Sequence, residues 1–314
     1  MIEKTKAPRK NGKEPEVEVR HLELATQMEL FLGDLLVPAT KDDRASMEHP
    51  FFSIRKGGDK TIRKYEDPRS KARLEVHPST RGSATIWDKD ILIYLGSVLR
   101  KAMDGEVMVA PTFTFTAQDL LRSIGRGSGG KDYKELESAL DRLVGTRVKT
   151  NIATGDKVVT ENFNLLDSYK LLGDTSGRLD KVLVTVSHWF YRAIESKEIL
   201  SIPPKYFEIR GGLERRVYEI VRKHCGNQAS FAIGLDRLYL KSGSTSPERR
   251  FRFEVRQLVG KDFGRLLDYF VAVDGDNLYA FSDTQEGKNA LAKLIGQRAK
   301  KALPSPPPAA DQRS

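Results

Sequence analysis

Apolar residues recur three and four positions apart in three stretches of the first half of the chain, and this spacing predicts helices. The first predicted helix lies in ATIWDKDILIYLGSVLRKAMDG, where Asp88 can cap the start and Gly105 follows the end. The second lies in TAQDLLRSIG, which opens with Thr116 and Asp119 at capping-box spacing. The third lies in KDYKELESALDRLV. VMVAPTFTF alternates like a strand, and TRVKTNIATGDKVVTENFNLL has the pattern of a hairpin. This order predicts a winged-helix domain, which is a helix-turn-helix with an added β-hairpin wing.

The second half of the chain repeats this order of elements. The strand VLVTVS and the short helix HWFYRAI lead to a helix in GGLERRVYEIVRKHCG, and FAIGLDRLYLKSG predicts a second helix that ends at Gly243. SPERRFRFEVRQL stands in the third position, and RLLDYFVAVDGDNLYAFSD has the pattern of a hairpin around DGDN. We therefore predict an α+β fold with two tandem winged-helix domains.

The domain boundaries are predicted from composition and from the spacing of apolar residues. The N-terminal winged-helix domain is predicted over 27–180, where QMELFLGDLL at its start predicts a short helix, and the C-terminal, DNA-reading domain over 181–290. A charged flexible tail over 1–26 precedes them, and a basic, proline-rich disordered tail over 291–314 follows.

The stretch SPERRFRFEVRQL, residues 246–258, sorts its side chains well both as a strand and as a helix. Its start favours the helix, because Ser246 is a good N-cap, Pro247 suits the first helical position and Glu248 stabilises the positive end of the helix dipole. At about 100° per residue the helix has a core face and a basic face. The core face holds Phe251, Val255, Leu258 and Val259.

The basic face of this helix has the chemistry of a DNA reader. An arginine fork can donate two hydrogen bonds to guanine or grip a phosphate, Gln257 can pair with adenine, and Phe253 can touch a thymine methyl group or pack under the wing. The alternative is a solvated face paired to Glu248, Asp236 or Asp262. Four arginines against two glutamates within the helix favour DNA. The predicted DNA contacts are Arg249, Arg250, Arg252, Arg256 and Gln257.

The third helix of the first domain has a different charge. From Lys131 to Arg142 three basic residues stand against four acidic ones, net −1, and carboxylates that face phosphates repel them. We therefore expect this domain to touch the DNA backbone through its loop or wing, or to serve protein contact. The residues expected at the backbone are Arg126, Arg147 and Lys149.

The overall charge favours a polyanionic partner. Lysine and arginine number 53 against 43 aspartates and glutamates, which gives a net charge of +10. The segments 55–81 and 288–314 each carry net +5 and together equal the excess, so they are interpreted as solvated basic arms that strengthen binding without specifying a sequence. The sequence leaves open whether the segment 55–81 is ordered.

Other chemistries find little support in the sequence. The single cysteine, Cys225, excludes an internal disulfide and is interpreted as a small buried hydrophobe on a helix. The five histidines have no metal-ligand spacing, and no GxSxG motif occurs, so we expect neither an enzyme nor a cofactor. No apolar run approaches the roughly 20 residues that span a bilayer, so we expect a cytoplasmic protein without membrane contact.

GRGSGGKD, residues 125–132, resembles a phosphate-binding loop. Asp132 stands where a hydroxyl would hold magnesium, and the loop follows an amphipathic helix instead of a buried strand. A helix-to-helix turn is therefore favoured. A nucleotidase that depends on Lys131 remains as an alternative.

The stretches SMEHPFFSI, ATIWDKDILIY and GGLERRVYEIVRKHCG resemble the replication initiator protein A family of bacterial plasmids, and the resemblance runs from about Met47 to Ser282. It implies two winged-helix domains, binding of repeated double-stranded DNA sites at a plasmid origin, and recruitment of host replication initiator and helicase proteins. In related initiators the C-terminal domain reads bases, whereas the N-terminal domain adds backbone contacts or forms a homodimer that represses its own gene. A winged-helix transcriptional repressor remains the other interpretation, since binding alone does not separate the two.

Overall fold

The computed structural model describes residues 40–105, 109–155, 160–173, 179–260 and 263–302. The predicted tail over 1–26 and the predicted helix over 27–36 lie outside these residues. Helices and antiparallel sheets alternate along the described chain, which confirms the predicted α+β class.

The helices are α1 (Arg44–Glu48), α2 (Lys89–Asp104), α3 (Ala117–Ser123), α4 (Gly130–Gly145), α5 (His188–Glu195), α6 (Gly212–Cys225), α7 (Leu235–Ser242), α8 (Glu248–Val259) and α9 (Gln285–Ala302), with a 3-10 helix at Pro204–Glu208. The strands are β1 (Thr40–Asp43), β2 (Arg63–Glu66), β3 (Arg73–His77), β4 (Thr112–Thr116), β5 (Arg147–Thr150), β6 (Glu161–Asn164), β7 (Leu166–Gly173), β8 (Leu179–Val186), β9 (Ile199–Ile202), β10 (Ser230–Gly234), β11 (Gly264–Leu266), β12 (Tyr269–Asp274) and β13 (Asn277–Ser282).

A first unit forms around α2, α3, α4 and a three-stranded antiparallel sheet in the order β4-β8-β7. Thr116 caps α3 by accepting the backbone N–H of Asp119, as the sequence predicts. VLVTVS belongs to β8, which pairs with β4 and β7 and so lies in the first unit, whereas the sequence assigns it to the second domain. The predicted boundary between 180 and 181 therefore falls inside β8.

A second sheet, in the order β2-β3-β5-β6, shares the hydrophobic core of the first unit. The sequence predicts a solvated arm over 55–81, but this segment contains β2 and β3, whose Tyr65, Leu74 and Val76 are buried. The expectation of an arm is wrong because alternate side chains of the segment fill the core. The hairpin predicted from TRVKTNIATGDKVVTENFNLL pairs as β5 and β6 in this sheet, so the hairpin that packs beside β4 is β7–β8.

A second unit forms around α6, α7, α8 and a four-stranded antiparallel sheet in the order β10-β13-β12-β11. FAIGLDRLYLKSG predicts one helix, but Ser230–Gly234 is strand β10 and only Leu235–Ser242 is helical. The first half is extended because it pairs along its length with β13. Cys225 is buried at the end of α6, which confirms its interpretation as a core residue.

The last described helix lies on the outer face of the β10-β13-β12-β11 sheet. Helix α9 runs through Ala302, and its Leu291 packs with Ala272 and Phe281. The disordered tail predicted over 291–314 therefore begins inside a helix, because an apolar contact anchors that part of the segment. Residues 303–314 lie outside the described chain.

Candidate nucleic-acid interface

Helix α8 presents the basic face that the sequence predicts. It runs from Glu248 to Val259 with Phe251, Val255 and Val259 buried in the core of the second unit, so the helical interpretation is confirmed over the strand. Its start differs by one residue from the prediction. Pro247 occupies the N-cap position, and its carbonyl accepts the N–H groups of Arg250 and Phe251. Because a proline carries no capping side chain, the first turn depends on backbone groups.

Two arginines of α8 face the tip of the β12–β13 hairpin, which is the turn at Gly275 and Asp276. Arg252 Nη1 donates to Asp276 Oδ1 at 2.8 Å and its Nε donates to Glu248 Oε1 at 2.9 Å. Arg256 Nη2 donates to the Gly275 carbonyl at 3.4 Å and lies 3.8 Å from Asp276 Oδ1. Arg252, 25% exposed, is therefore held between the helix and the hairpin.

The remaining polar residues of this face point outward. Arg250 pairs with Glu254 one turn on, at 2.8 Å. The side chains of Arg249 and Gln257 are exposed, and within the described chain neither makes a hydrogen bond or an ion pair. Their donors are thus the groups on α8 that an external acceptor meets without competition from a protein carboxylate.

The residues predicted in the first unit separate into two environments. Arg126 is 21% exposed. Its Nη2 donates to the Trp87 carbonyl at 2.7 Å and lies 3.4 Å from Asp90, so its guanidinium is bound to groups inside the first unit. Arg147 and Lys149 lie two apart on β5 and share the exposed face of the β2-β3-β5-β6 sheet. Lys149 lines a depression of about 560 Å³ together with other residues that include Lys64 and Arg73.

A buried polar junction joins the two units, and sequence reasoning did not anticipate it. Lys89 Nζ on α2 donates to Asp42 Oδ2 at 2.7 Å and to Glu219 Oε1 on α6 at 2.8 Å, with all three side chains at most 2% exposed. Burial raises the pKa of Glu219, but Lys89 and Arg216 outweigh this effect, so its pKa lies below the usual value. The carboxylate therefore stays ionised inside the junction.

Two neighbouring arginines of α6 complete the junction. Arg215 Nη1 donates to Asp90 Oδ1 at 2.6 Å, and Arg216 Nη1 donates to Glu219 Oε2 and to the Ser46 carbonyl, each at 2.8 Å. The three stretches SMEHPFFSI, ATIWDKDILIY and GGLERRVYEIVRKHCG thus meet at one place. The sequence carries no signal for this junction, because charged residues such as Arg215, Arg216 and Glu219 are also usual on the solvent face of an amphipathic helix.

A hydrogen-bonded chain extends this junction towards α7. His49 Nδ1 lies 3.2 Å from the Tyr65 hydroxyl, which donates to Asp67 Oδ2 at 3.3 Å, and Asp67 accepts from Arg237 at 3.2 Å. Burial is the main cause that lowers the pKa of His49 to about 3. The imidazole is therefore neutral at physiological pH.

Replacement of His49 by glutamine is expected to flatten the acid side of the stability curve. In the wild type the unfolded His49 takes up a proton below its ordinary pKa of about 6.5, whereas the folded residue resists it down to about 3. Stability from this group is thus complete above pH 7 and is lost as the pH falls. Urea unfolding at pH 7.5 and 4.5 measures the free energy of unfolding of both proteins. The difference by which the wild type exceeds His49→Gln should be smaller at pH 4.5 than at pH 7.5. Parallel losses in both proteins would contradict the assignment.

The loop GRGSGGKD connects α3 to α4, as the sequence favours. Asp132 Oδ2 accepts the backbone N–H of Gly129 at 3.0 Å, so the carboxylate takes a donor that a phosphate would need. Lys131 is 88% exposed and lies 3.8 Å from Glu135. Across the described residues no group of three or more metal-ligating side chains is found, and no helix is long and apolar enough to cross a membrane.

The comparisons with known proteins agree with the resemblance drawn from the three stretches. Residues 41–270 match the family model described as replication initiator protein A. The chain is 39% identical over 256 residues to the "Putative replication protein" of Wigglesworthia glossinidia brevipalpis, covering 80% of this chain and 90% of that protein.

Two crystal structures of domains 2 and 3 of RctB share the fold. The first, of selenomethionine derivatives, has a TM-score of 0.56 at 14% identity and covers 75% of this chain and 95% of that one. The second has a TM-score of 0.52 at 15% identity, with 76% and 96% covered. At this identity the likeness concerns the fold alone. The family match extends over most of the described residues, and on that basis the chain belongs to the replication initiator protein A family.

Proposed function

We propose that this chain initiates plasmid replication by binding repeated double-stranded DNA sites at an origin, and that it brings host replication initiator and helicase proteins to that origin. Membership of the replication initiator protein A family supports the process. The net charge of +10 supports a polyanionic partner.

The DNA-binding elements in this proposal are two tandem winged helices. The order α2, β4, α3, α4, β7, β8 in the first unit matches helix, strand, helix, helix and hairpin. The order α6, β10, α7, α8, β12, β13 in the second unit matches it again. In each unit the first strand pairs with a strand of the hairpin, which closes a small sheet against the helices.

The observation that carries the proposal is the exposed face of α8. Its Arg249 and Gln257 are exposed without partners in the described chain, while Arg252 and Asp276 hold the hairpin tip beside them. A recognition helix in the major groove needs this arrangement of free donors on one face. In the proposal Arg249 and Gln257 contact bases, and Arg252 positions the hairpin. Arg250 and Arg256 leave their solvent-exposed partners, Glu254 and the hairpin tip, and bind DNA instead.

The test is maintenance of a replicon. A fragment of the origin, joined to a resistance marker and to this gene but to no other origin, is introduced into a host. We expect stable transformants with the wild-type gene and few or none with Arg249→Ala. Failure of the wild type to support maintenance, despite specific binding to the fragment, would contradict initiation and would favour a repressor.

The first unit is proposed to hold the DNA backbone through Arg147 and Lys149, on the exposed face of the β2-β3-β5-β6 sheet. The double variant Arg147→Ser/Lys149→Ser is expected to lower affinity about equally for cognate and random DNA. Each lost phosphate contact should reduce the slope of log affinity against log salt by about 0.9. Titrations at several salt concentrations measure this slope.

The matched control for this pair is Lys131→Ser/Lys134→Ser, which removes the same charge from the acidic helix α4. It should leave the slope unchanged, because carboxylates on that helix repel phosphates. An equal change of slope in both double variants would mean that net charge alone, and not the sheet face, sets the affinity.

A further inference from the structure

An aromatic side chain lies exposed in the middle of the proposed DNA-reading face. Phe253 is 60% exposed, more than any other large hydrophobic residue of the described chain. At about 100° per residue it falls between Arg249, one turn before it, and Gln257, one turn after it. The ring therefore lies between two side chains that have no partner within the described chain.

The packing of the second unit gives this ring no role in the core. Phe251, two residues earlier, points to the opposite side of α8, is fully buried and lies 5.1 Å from the ring of Tyr239. Phe253 is absent from the hydrophobic clusters of the described chain and from its aromatic contacts. The sequence left open whether Phe253 packs under the hairpin. Because the side chain is exposed, it does not.

The chemistry of the surrounding face determines what can cover the ring. Arg249, Arg250 and Arg256 give this face a positive charge, which fits nucleic acid. The major groove presents hydrogen-bond donors and acceptors at each base pair, and the C5-methyl group of thymine is its apolar feature. A ring flanked by an arginine and a glutamine is thus complementary to a thymine flanked by bases that accept or exchange hydrogen bonds.

We propose that Phe253 selects thymine within the DNA site by packing against its C5-methyl group. The inference rests on the proposed function, since it requires α8 to lie in the major groove. Four residues of an α-helix rise about 6 Å, so Phe253 contacts a base close to those read by Arg249 and Gln257.

The experiment replaces thymine by uracil, one position at a time, in a DNA repeat that the wild type binds specifically. Uracil keeps the pairing and every hydrogen-bonding group of thymine and lacks the methyl group. We expect the wild type to lose about 4-fold in affinity at one position, or at one in each half-site, since this is the ratio that burial of a single methyl group supplies. Phe253→Ala should bind the thymine repeat more weakly and should not distinguish the two bases.

Ile62→Ala provides the matched control, because it shortens another exposed hydrophobic side chain, 51% exposed and outside α8. It should discriminate uracil from thymine as the wild type does. Phe253→Leu tests the nature of the contact, since an apolar side chain that remains should keep part of the discrimination.

Two results would overturn the inference while leaving the proposed function intact. In one, the wild type binds every uracil repeat as tightly as the thymine repeat. In the other, Phe253→Ala discriminates as well as the wild type, and a change in its oligomeric state would then assign the ring to a protein contact. If the wild type fails to bind any unmodified repeat specifically, the proposed function fails first, and the inference falls with it.

Discussion

Replacement of Lys89 by methionine is expected to lower the free energy of unfolding by about 3–5 kcal/mol, because it leaves two buried carboxylates without their shared cation. Lys89 joins Asp42, next to α1, to Glu219 on α6, so the loss also removes one of the contacts between the two units. Urea unfolding followed by circular dichroism measures the change. Glu219 retains Arg216 as a partner, which makes Asp42 the carboxylate that is left unpaired.

The double variant Lys89→Met/Asp42→Asn tests how much of the stability lost in Lys89→Met comes from an Asp42 carboxyl that has lost its partner. It should be more stable than Lys89→Met alone, because burial raises the pKa of Asp42 and an amide removes the cost of protonating or burying this carboxyl without Lys89. Lys131→Met is the surface control, since its pair with Glu135 is exposed on both sides and should contribute almost nothing. Equal stability of Lys89→Met and Lys131→Met would contradict the buried junction.

Replacement of Arg249 or Gln257 by alanine is expected to weaken binding to a cognate DNA repeat by about 1–3 kcal/mol each, the usual value of a bidentate contact to a base. Binding to random DNA should change far less, because phosphate contacts elsewhere on the protein supply it. Fluorescence anisotropy with labelled cognate and scrambled duplexes measures both affinities.

Arg210→Ala is the control for this pair, because Arg210 is exposed in the segment before α6 and outside the proposed interface. It should leave the preference for cognate DNA unchanged. Losses of equal size on cognate and scrambled DNA after Arg249→Ala would reduce Arg249 to a phosphate contact, and the specificity would have to come from other residues.

Local signals in the sequence predict the elements that depend on neighbouring residues. The helical period of α8, the cap at Thr116 and the end of α7 at Gly243 each follow from residues within one or two turns. Ser246 shows the limit of such signals. A serine before a proline predicts a cap, but the helix begins one residue later.

The sheets depend on partners that are distant along the chain, and alternation does not identify them. The short apolar run VLVTVS predicts a strand, yet only the pairing of β8 with β4 and β7 assigns it to the first unit. For the same reason the segment 55–81 resembled a basic arm, although β3 pairs with β5 and its alternate residues fill the core.

The site shows the same division between local and distant information. The basic face of α8 follows from period and composition, so its residues could be named from the sequence. The role of Arg252 could not, because Asp276 reaches it from a hairpin 24 residues away. Likewise, the charges of GGLERRVYEIVRKHCG look like those of a surface helix until α1 and α2 bury Arg215, Arg216 and Glu219.

The most direct measurement is a mobility-shift titration of the wild-type protein on the DNA that flanks its own gene, at physiological salt and with an excess of scrambled competitor. We expect a ladder of discrete complexes that survives the competitor, as repeated specific sites require. A shift that random DNA abolishes would contradict specific recognition of an origin by this chain.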